Sequence, residues 1–102
     1  MVSIIAKLTF KADKAEEALL LLQDLLPQVA KEEGTLHYTL NRSASSPNSI
    51  VIIERYVDQG AFDAHSRAPY LREFFAKLPP LLDGKPEISI LEELCGICIN
   101  GG

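Results

Sequence analysis

Apolar and polar residues alternate from the start of the chain. In Val2-Ser3-Ile4-Ile5-Ala6-Lys7-Leu8-Thr9-Phe10 every even position is apolar and the odd positions are mostly polar. A period of two marks a half-buried strand. The period then lengthens. Ala15, Ala18, Leu19, Leu22, Leu26 and Val29 fall on one helical face, with Leu20 and Leu21 widening the stripe or lying off it. Asp13, followed three residues on by Glu16, predicts a capping box at the helix start. Pro27 predicts a kink or a restart, and Gly34 a stop. Residues 35–42 alternate again, with Leu36, Tyr38 and Leu40 against Thr35, His37, Thr39 and Asn41. Residues 43–48 read as a loop by composition, and 49–57 as a third strand rich in Ile and Val. The two strands should form an antiparallel hairpin.

Asp58 is placed to cap a short helix carrying Ala61, Phe62 and His65. Pro69 opens a second helical piece, whose stripe is Leu71, Phe74, Phe75 and Leu78, and Pro79-Pro80 ends it. Asp83-Gly84 is a turn and residues 87–94 a fourth strand. The order is β-α-β-β-α-β, the ferredoxin-like arrangement. It predicts an α+β fold in which a four-stranded antiparallel sheet carries the helices on one face. Residues 1–95 make the domain and 96–102 a tail.

The other face of that sheet carries Ser3, Ile5, Lys7 and Thr9 from strand one and His37, Thr39 and Asn41 from strand two. Strand three is apolar on both sides, with Ile50 and Ile52 against Val51 and Ile53. Such a strand is normally buried on both sides. The helices cover only one, so a second copy of the chain is the expected cover. The mixed polarity of this face predicts a lined cavity there rather than a dry interface; an open, partly wet sheet surface is the alternative.

Length and charge narrow the function classes. A chain of 102 residues is one domain, and its net charge of −4 is not interrupted by any Lys/Arg cluster. Nucleic acid and anionic membranes need a concentrated positive face, so neither is expected as partner. No apolar run is long enough to span a bilayer. The first residues lack a basic region and a cleavage signature, so no signal peptide is expected. Cys95 and Cys98 make no disulfide framework, and a cytoplasmic location is the default.

His65 is the leading candidate for chemistry, since histidine exchanges protons near neutrality. The alternative is a helix-end histidine, on the surface or satisfied in a partly buried site. Glu54 and Tyr56 lie two apart on one face of strand three. They either bind a substrate hydroxyl or form a strand-end charge with its partner. His37 and Asn41 share the second face and either line a cavity or face solvent. Cys95-x-x-Cys98 has redox or metal spacing, but no second pair and no nearby His accompany it. No metal site is expected, and no phosphate loop or nucleotide motif is present.

An ordered set of motifs then carries a resemblance. These are Glu32-Glu33-Gly34-Thr35-Leu36-His37-Tyr38, Pro47-Asn48-Ser49, Glu54-Arg55-Tyr56, Asp58, Ala61, Ala64-His65, Ala68-Pro69-Tyr70 and Leu78-Pro79-Pro80-Leu81-Leu82. With Ile4-Ile5-Ala6-Lys7 ahead of them, the chain resembles the antibiotic biosynthesis monooxygenase family of dimeric α+β barrel proteins, in the style of its quinol monooxygenases. The resemblance implies a homodimer with a pocket in each protomer and the family's helix histidine at His65. It implies a cofactor-independent monooxygenase that oxidises a small aromatic quinol, anthrone or polyketide-like substrate with O2. Such a substrate supplies its own electrons as an anion, so no cofactor is expected. His65 would be the catalytic base or anion stabiliser, and Tyr56, Tyr70, His37 and Asn41 would orient the substrate. A second histidine often follows in the family, where Tyr70 stands here. The haem-degrading branch's functional positions match Ala6, His65 and Phe75, none of which carries that branch's residue. An isomerase or tautomerase using the same base, or a non-catalytic ligand-binding dimer, are the alternatives.

Overall fold

The computed structural model describes residues 1–97. The strands are β1 (Val2–Thr9), β2 (Thr35–Ser43), β3 (Ser46–Tyr56) and β4 (Glu87–Glu92), and the helices α1 (Ala15–Val29), α2 (Gln59–Ser66) and α3 (Pro69–Lys77). The sheet order is β2-β3-β1-β4, antiparallel throughout. This is the expected ferredoxin-like α+β fold, with the second helix split into α2 and α3.

The period-two reading of β1 holds residue by residue. Ile4, Ala6, Leu8 and Phe10 are buried, while Ile5 between them is exposed. Ala6, Leu8 and Phe10 join Ile50 and Ile52 of β3 and the buried stripe of α1, which is Ala18, Leu22, Leu25 and Val29, in one core. Leu25 takes the place expected for Leu26, a small rotation of the helix toward the sheet. From α3, Leu71 and Phe74 close the core, with Leu78 and Leu81 after them. Each fully buried Leu, Ile or Phe contributes about 1.5–3 kcal/mol through the water it no longer orders.

Four local expectations are corrected. Asp13 does not cap α1: it sits inside a 3-10 turn, Ala12–Lys14, and α1 starts at Ala15 without a side-chain cap. The turn is fixed from outside, since Phe10 N–H donates to Asn48 and Lys11 N–H to Leu81, both at 2.9 Å. Pro27 causes no restart, because it lies in the last turn of α1, which ends two residues later. Residues 43–48 are not a loop: only Ala44 and Ser45 separate β2 from β3. The serines there bond one another, Ser46 Oγ to Ser49 Oγ at 2.8 Å and Ser49 Oγ to Thr9 Oγ1 at 2.7 Å, so a polar composition still extends a ribbon. β4 stops at Glu92 rather than 94.

β2 carries an irregularity that matters below. Thr35 pairs with Tyr56 and His37 with Arg55, so Leu36 is an extra residue, a β-bulge. Gly34, two residues before it, does not take a left-handed conformation; among the described residues only Gly84 does, with φ of 100°. Its role is close approach: a Cβ built at Gly34 would lie 2.4 Å from the Ala61 Cβ in the first turn of α2.

Gly34→Ala is therefore expected to destabilise the fold by about 1–3 kcal/mol, the usual cost of overpacking. Urea unfolding checks this, and an unchanged midpoint would refute the close-contact account.

Candidate functional site

α2 is aimed by its cap. Asp58 accepts a hydrogen bond from Ala61 N–H at 2.8 Å, as expected, and the helix then delivers His65 to the inner side at 4% exposure. Glu32, in the connection between α1 and β2, meets it. His65 Nδ1 lies 2.8 and 3.1 Å from the two Glu32 oxygens. Thr35 Oγ1 also donates to Glu32, at 2.7 Å, and so does the Tyr70 hydroxyl. Partial burial works against the Glu32 charge, but the hydrogen bonds from Tyr70, Thr35 and His65 outweigh it and hold the carboxyl below its ordinary range. An ionised acceptor at Nδ1 assigns the imidazole proton to Nδ1 and leaves Nε2 as the open nitrogen.

Nε2 faces a second carboxylate, Glu54, across 3.8 Å. Glu54 lies on β3, in a cross-sheet row with Tyr38 of β2 and Ile4 of β1. Tyr56 donates to Glu54 Oε1 at 2.5 Å. Burial pushes the Glu54 carboxyl up, and the Glu32 charge adds to this, while the Tyr56 bond and His65 oppose it. Burial, with Glu54 next, also pushes the hydroxyls of Tyr38 and Tyr56 above the ordinary tyrosine value. Burial and the Glu32 hydrogen bond do the same to Tyr70. All three stay protonated donors at neutral pH. Rings pack round the imidazole: centroids of Tyr56 and Tyr38 lie 5.4 and 5.6 Å away, and that of Tyr70 at 6.5 Å.

A cavity of about 210 Å³ opens beside this group, between the sheet and α2/α3. Its polar end is His65, Glu54, Tyr38 and Ser66; its apolar body includes Ala6, Leu8, Leu71 and Phe74, with Phe75 and Ile88 at exposed positions. Among the described residues no buried side-chain nitrogen or oxygen lacks a hydrogen-bond partner. Nε2 makes no hydrogen bond there, and His65 and Glu54, across from Nε2, both line the cavity. The cavity is larger than the ~150 Å³ void known to hold one benzene ring. No three His, Cys, Asp or Glu converge as a metal ion would need, among the described residues. Cys95 is exposed, and Cys98 lies outside the described residues.

The predicted residues are thus divided. His65 and Glu54 line the cavity together. Tyr56 and Tyr70 support them from outside its wall, through Glu54 and Glu32. His37 and Asn41 stand on the opposite face, where His37 Nε2 and Asn41 Nδ2 each lie 3.1 Å from Thr39 Oγ1. This cavity lies on the helix side of the sheet, and neither His37 nor Asn41 lines it. Glu32 and Tyr38 were not singled out as site residues. Tyr38 falls on the apolar phase of β2, which gave a signal; Glu32 lies outside any periodic segment, which gave none.

The model of the antibiotic biosynthesis monooxygenase family matches residues 1–77. The chain belongs to that family. Its relative "Putative monooxygenase YcnE" of Bacillus subtilis (strain 168) is 28% identical over 88 residues, covering 86% of this chain and 93% of YcnE. Rv0793 of Mycobacterium tuberculosis superposes with a TM-score of 0.89 at 26% identity, covering 95% of this chain and 98% of that one. A conserved protein of Methanosarcina mazei Go1 gives 0.87 at 29% identity, covering 91% and 92%. Together, family and relative support a monooxygenase-like function for this member. No helix of the described residues is long and apolar enough to cross a membrane.

The Glu32 network has a pH signature. A carboxyl held below its unfolded value adds stability that is present above the unfolded pKa and lost as pH falls through the folded one. Glu32→Gln should therefore melt below the unmodified protein at neutral pH, and the difference in Tm should shrink as pH drops below the ordinary carboxylate range. A pH-independent difference would contradict the ionised assignment.

Proposed function

We propose that this chain is a cofactor-independent monooxygenase that oxidises a small aromatic quinol, anthrone or related polyketide-like substrate with O2, as a homodimer in the cytoplasm. The observation that carries the reading is the divided histidine: Nδ1 held by an ionised carboxylate, Nε2 open to a largely apolar cavity able to take an aromatic ring. Such an imidazole takes a proton from a substrate hydroxyl or activated methylene at Nε2, and Glu32 stabilises the imidazolium that forms. The cavity wall excludes water from the resulting anion, and the Tyr38 hydroxyl donates to it. The carbanion or phenolate then reduces O2 itself. For an activated ring methylene the balance is CH2 + O2 → C=O + H2O, with the substrate supplying all four electrons.

Oxygen uptake above the autoxidation rate, measured with quinols and anthrones, tests the reading. His65→Ala should lower it by roughly 10²–10⁴-fold, the usual weight of a positioned base. Glu32→Gln, which keeps an acceptor at Nδ1 but loses the charge, should lower kcat more than it changes KM. Undiminished turnover in His65→Ala would remove the histidine from the mechanism.

The homodimer is supported by the open sheet face. Ile5, Ile53 and Leu91 are 41%, 41% and 44% exposed on it; Ile53 and Ile5 pair directly across β3 and β1, and Leu91 of β4, opposite Ser3, lies on the same face two residues along. Apolar side chains grouped in this way mark a surface that another face covers. Ile53→Lys is expected to convert a dimer into a monomer in sedimentation equilibrium; a dimer that tolerates the lysine would place the interface elsewhere.

A further inference from the structure

His65 Nε2, an acceptor in the neutral tautomer that carries its proton on Nδ1, and the Glu54 carboxyl share one end of the cavity. His65 Nε2 and Glu54 Oε1 are 3.8 Å apart, too far to bond each other. Tyr56 satisfies Glu54 from the protein side, being fully buried and outside the cavity wall. Nε2 has no hydrogen bond among the described residues. The Tyr38 hydroxyl, a donor in the same wall, has none either. A ligand with a single hydroxyl satisfies one acceptor and buries the other against its own ring. That leaves either the base unused or a largely buried carboxylate without its cavity-side partner, which is costly.

Two hydroxyls on adjacent ring carbons point the same way and reach both acceptors at once. Hydroxyls at opposite ends of a ring do not. With one on His65, the other is directed toward the apolar body of the cavity, where Leu8, Leu71 and Phe74 are buried and offer no acceptor. We propose that the site selects a ring bearing two adjacent hydroxyl groups, a catechol-type ligand, with one hydroxyl on His65 Nε2 and its neighbour on the Glu54 carboxylate. The selectivity rests on the reading of His65 as a base. When the first hydroxyl gives its proton to Nε2, the monoanion keeps one O–H for Glu54. Its new oxyanion accepts from the Tyr38 hydroxyl and from the Nε2–H just formed. Donors and acceptors then match on both sides.

Titration calorimetry of the unmodified full chain, in oxygen-free buffer with a chelator, tests this with catechol, phenol, hydroquinone and 2-methoxyphenol. Catechol should bind roughly tenfold tighter than each of the others, the effect expected of one charge-assisted hydrogen bond. The methoxy probe removes a single donor without touching the protein. In Glu54→Gln the advantage of catechol over phenol should fall to within about threefold. Binding of phenol, hydroquinone or 2-methoxyphenol within about threefold of catechol overturns the proposal. So does an advantage that persists in Glu54→Gln, or failure of all four probes to bind. Oxygen uptake is read separately. Tight, selective catechol binding without oxygen consumption upholds the selectivity and removes the monooxygenase reading. Oxygen consumption with hydroquinone at equal affinity removes the selectivity alone.

Discussion

The hydrogen bond between Glu32 and His65 Nδ1 is the constraint on which the site depends. It joins two parts of the chain 33 residues apart in sequence, the connection after α1 and the last turn of α2. Without it the imidazole has no fixed tautomer, and Nε2 loses its defined role. Thr35 and Tyr70 also donate to Glu32, one from the start of β2 and one from the start of α3. A single carboxylate thus gathers donors from three elements. Burial alone would drive that carboxyl toward the neutral form; the three donors reverse the outcome.

Glu54 shows the opposite balance with the same side-chain chemistry. It has one hydroxyl donor rather than three hydrogen-bonding partners, and a deeper position in the sheet. Burial wins, and its carboxyl is pushed up while that of Glu32 is pulled down. Two carboxylates on either side of one imidazole therefore differ in how readily they hold charge. The difference comes from the number of donors each one meets.

The fold was legible in the sequence because its signal is periodic. Ile4, Ala6 and Leu8 announced the inner face of β1, and Asp58 and Pro69 announced the starts of α2 and α3. The start of α1 was misread for a tertiary reason. Asp13 and Glu16 satisfy a local rule, but the backbone at Phe10 and Lys11 is claimed by Asn48 and Leu81, which local rules do not see. The site was legible only in part. His65 stood out by residue type, and Glu54 as a carboxylate in an apolar strand. Glu32 stood in a family motif but showed no role there, because that role depends on a partner far along the chain. His37 and Asn41 drew notice as polar residues on one face, but that face looks away from the cavity.

The bulge at Leu36 settles a parity problem. Thr35 and Tyr38 are three residues apart, an odd interval, and an unbroken strand sends such a pair to opposite sides. One is needed on Glu32 and the other on the cavity wall, both on the helix side of the sheet. The extra residue makes the interval count as even. An insertion or deletion at this one position would therefore not merely lengthen or shorten the strand. It would oblige the chain to surrender either the support of the histidine or the hydroxyl in the cavity wall.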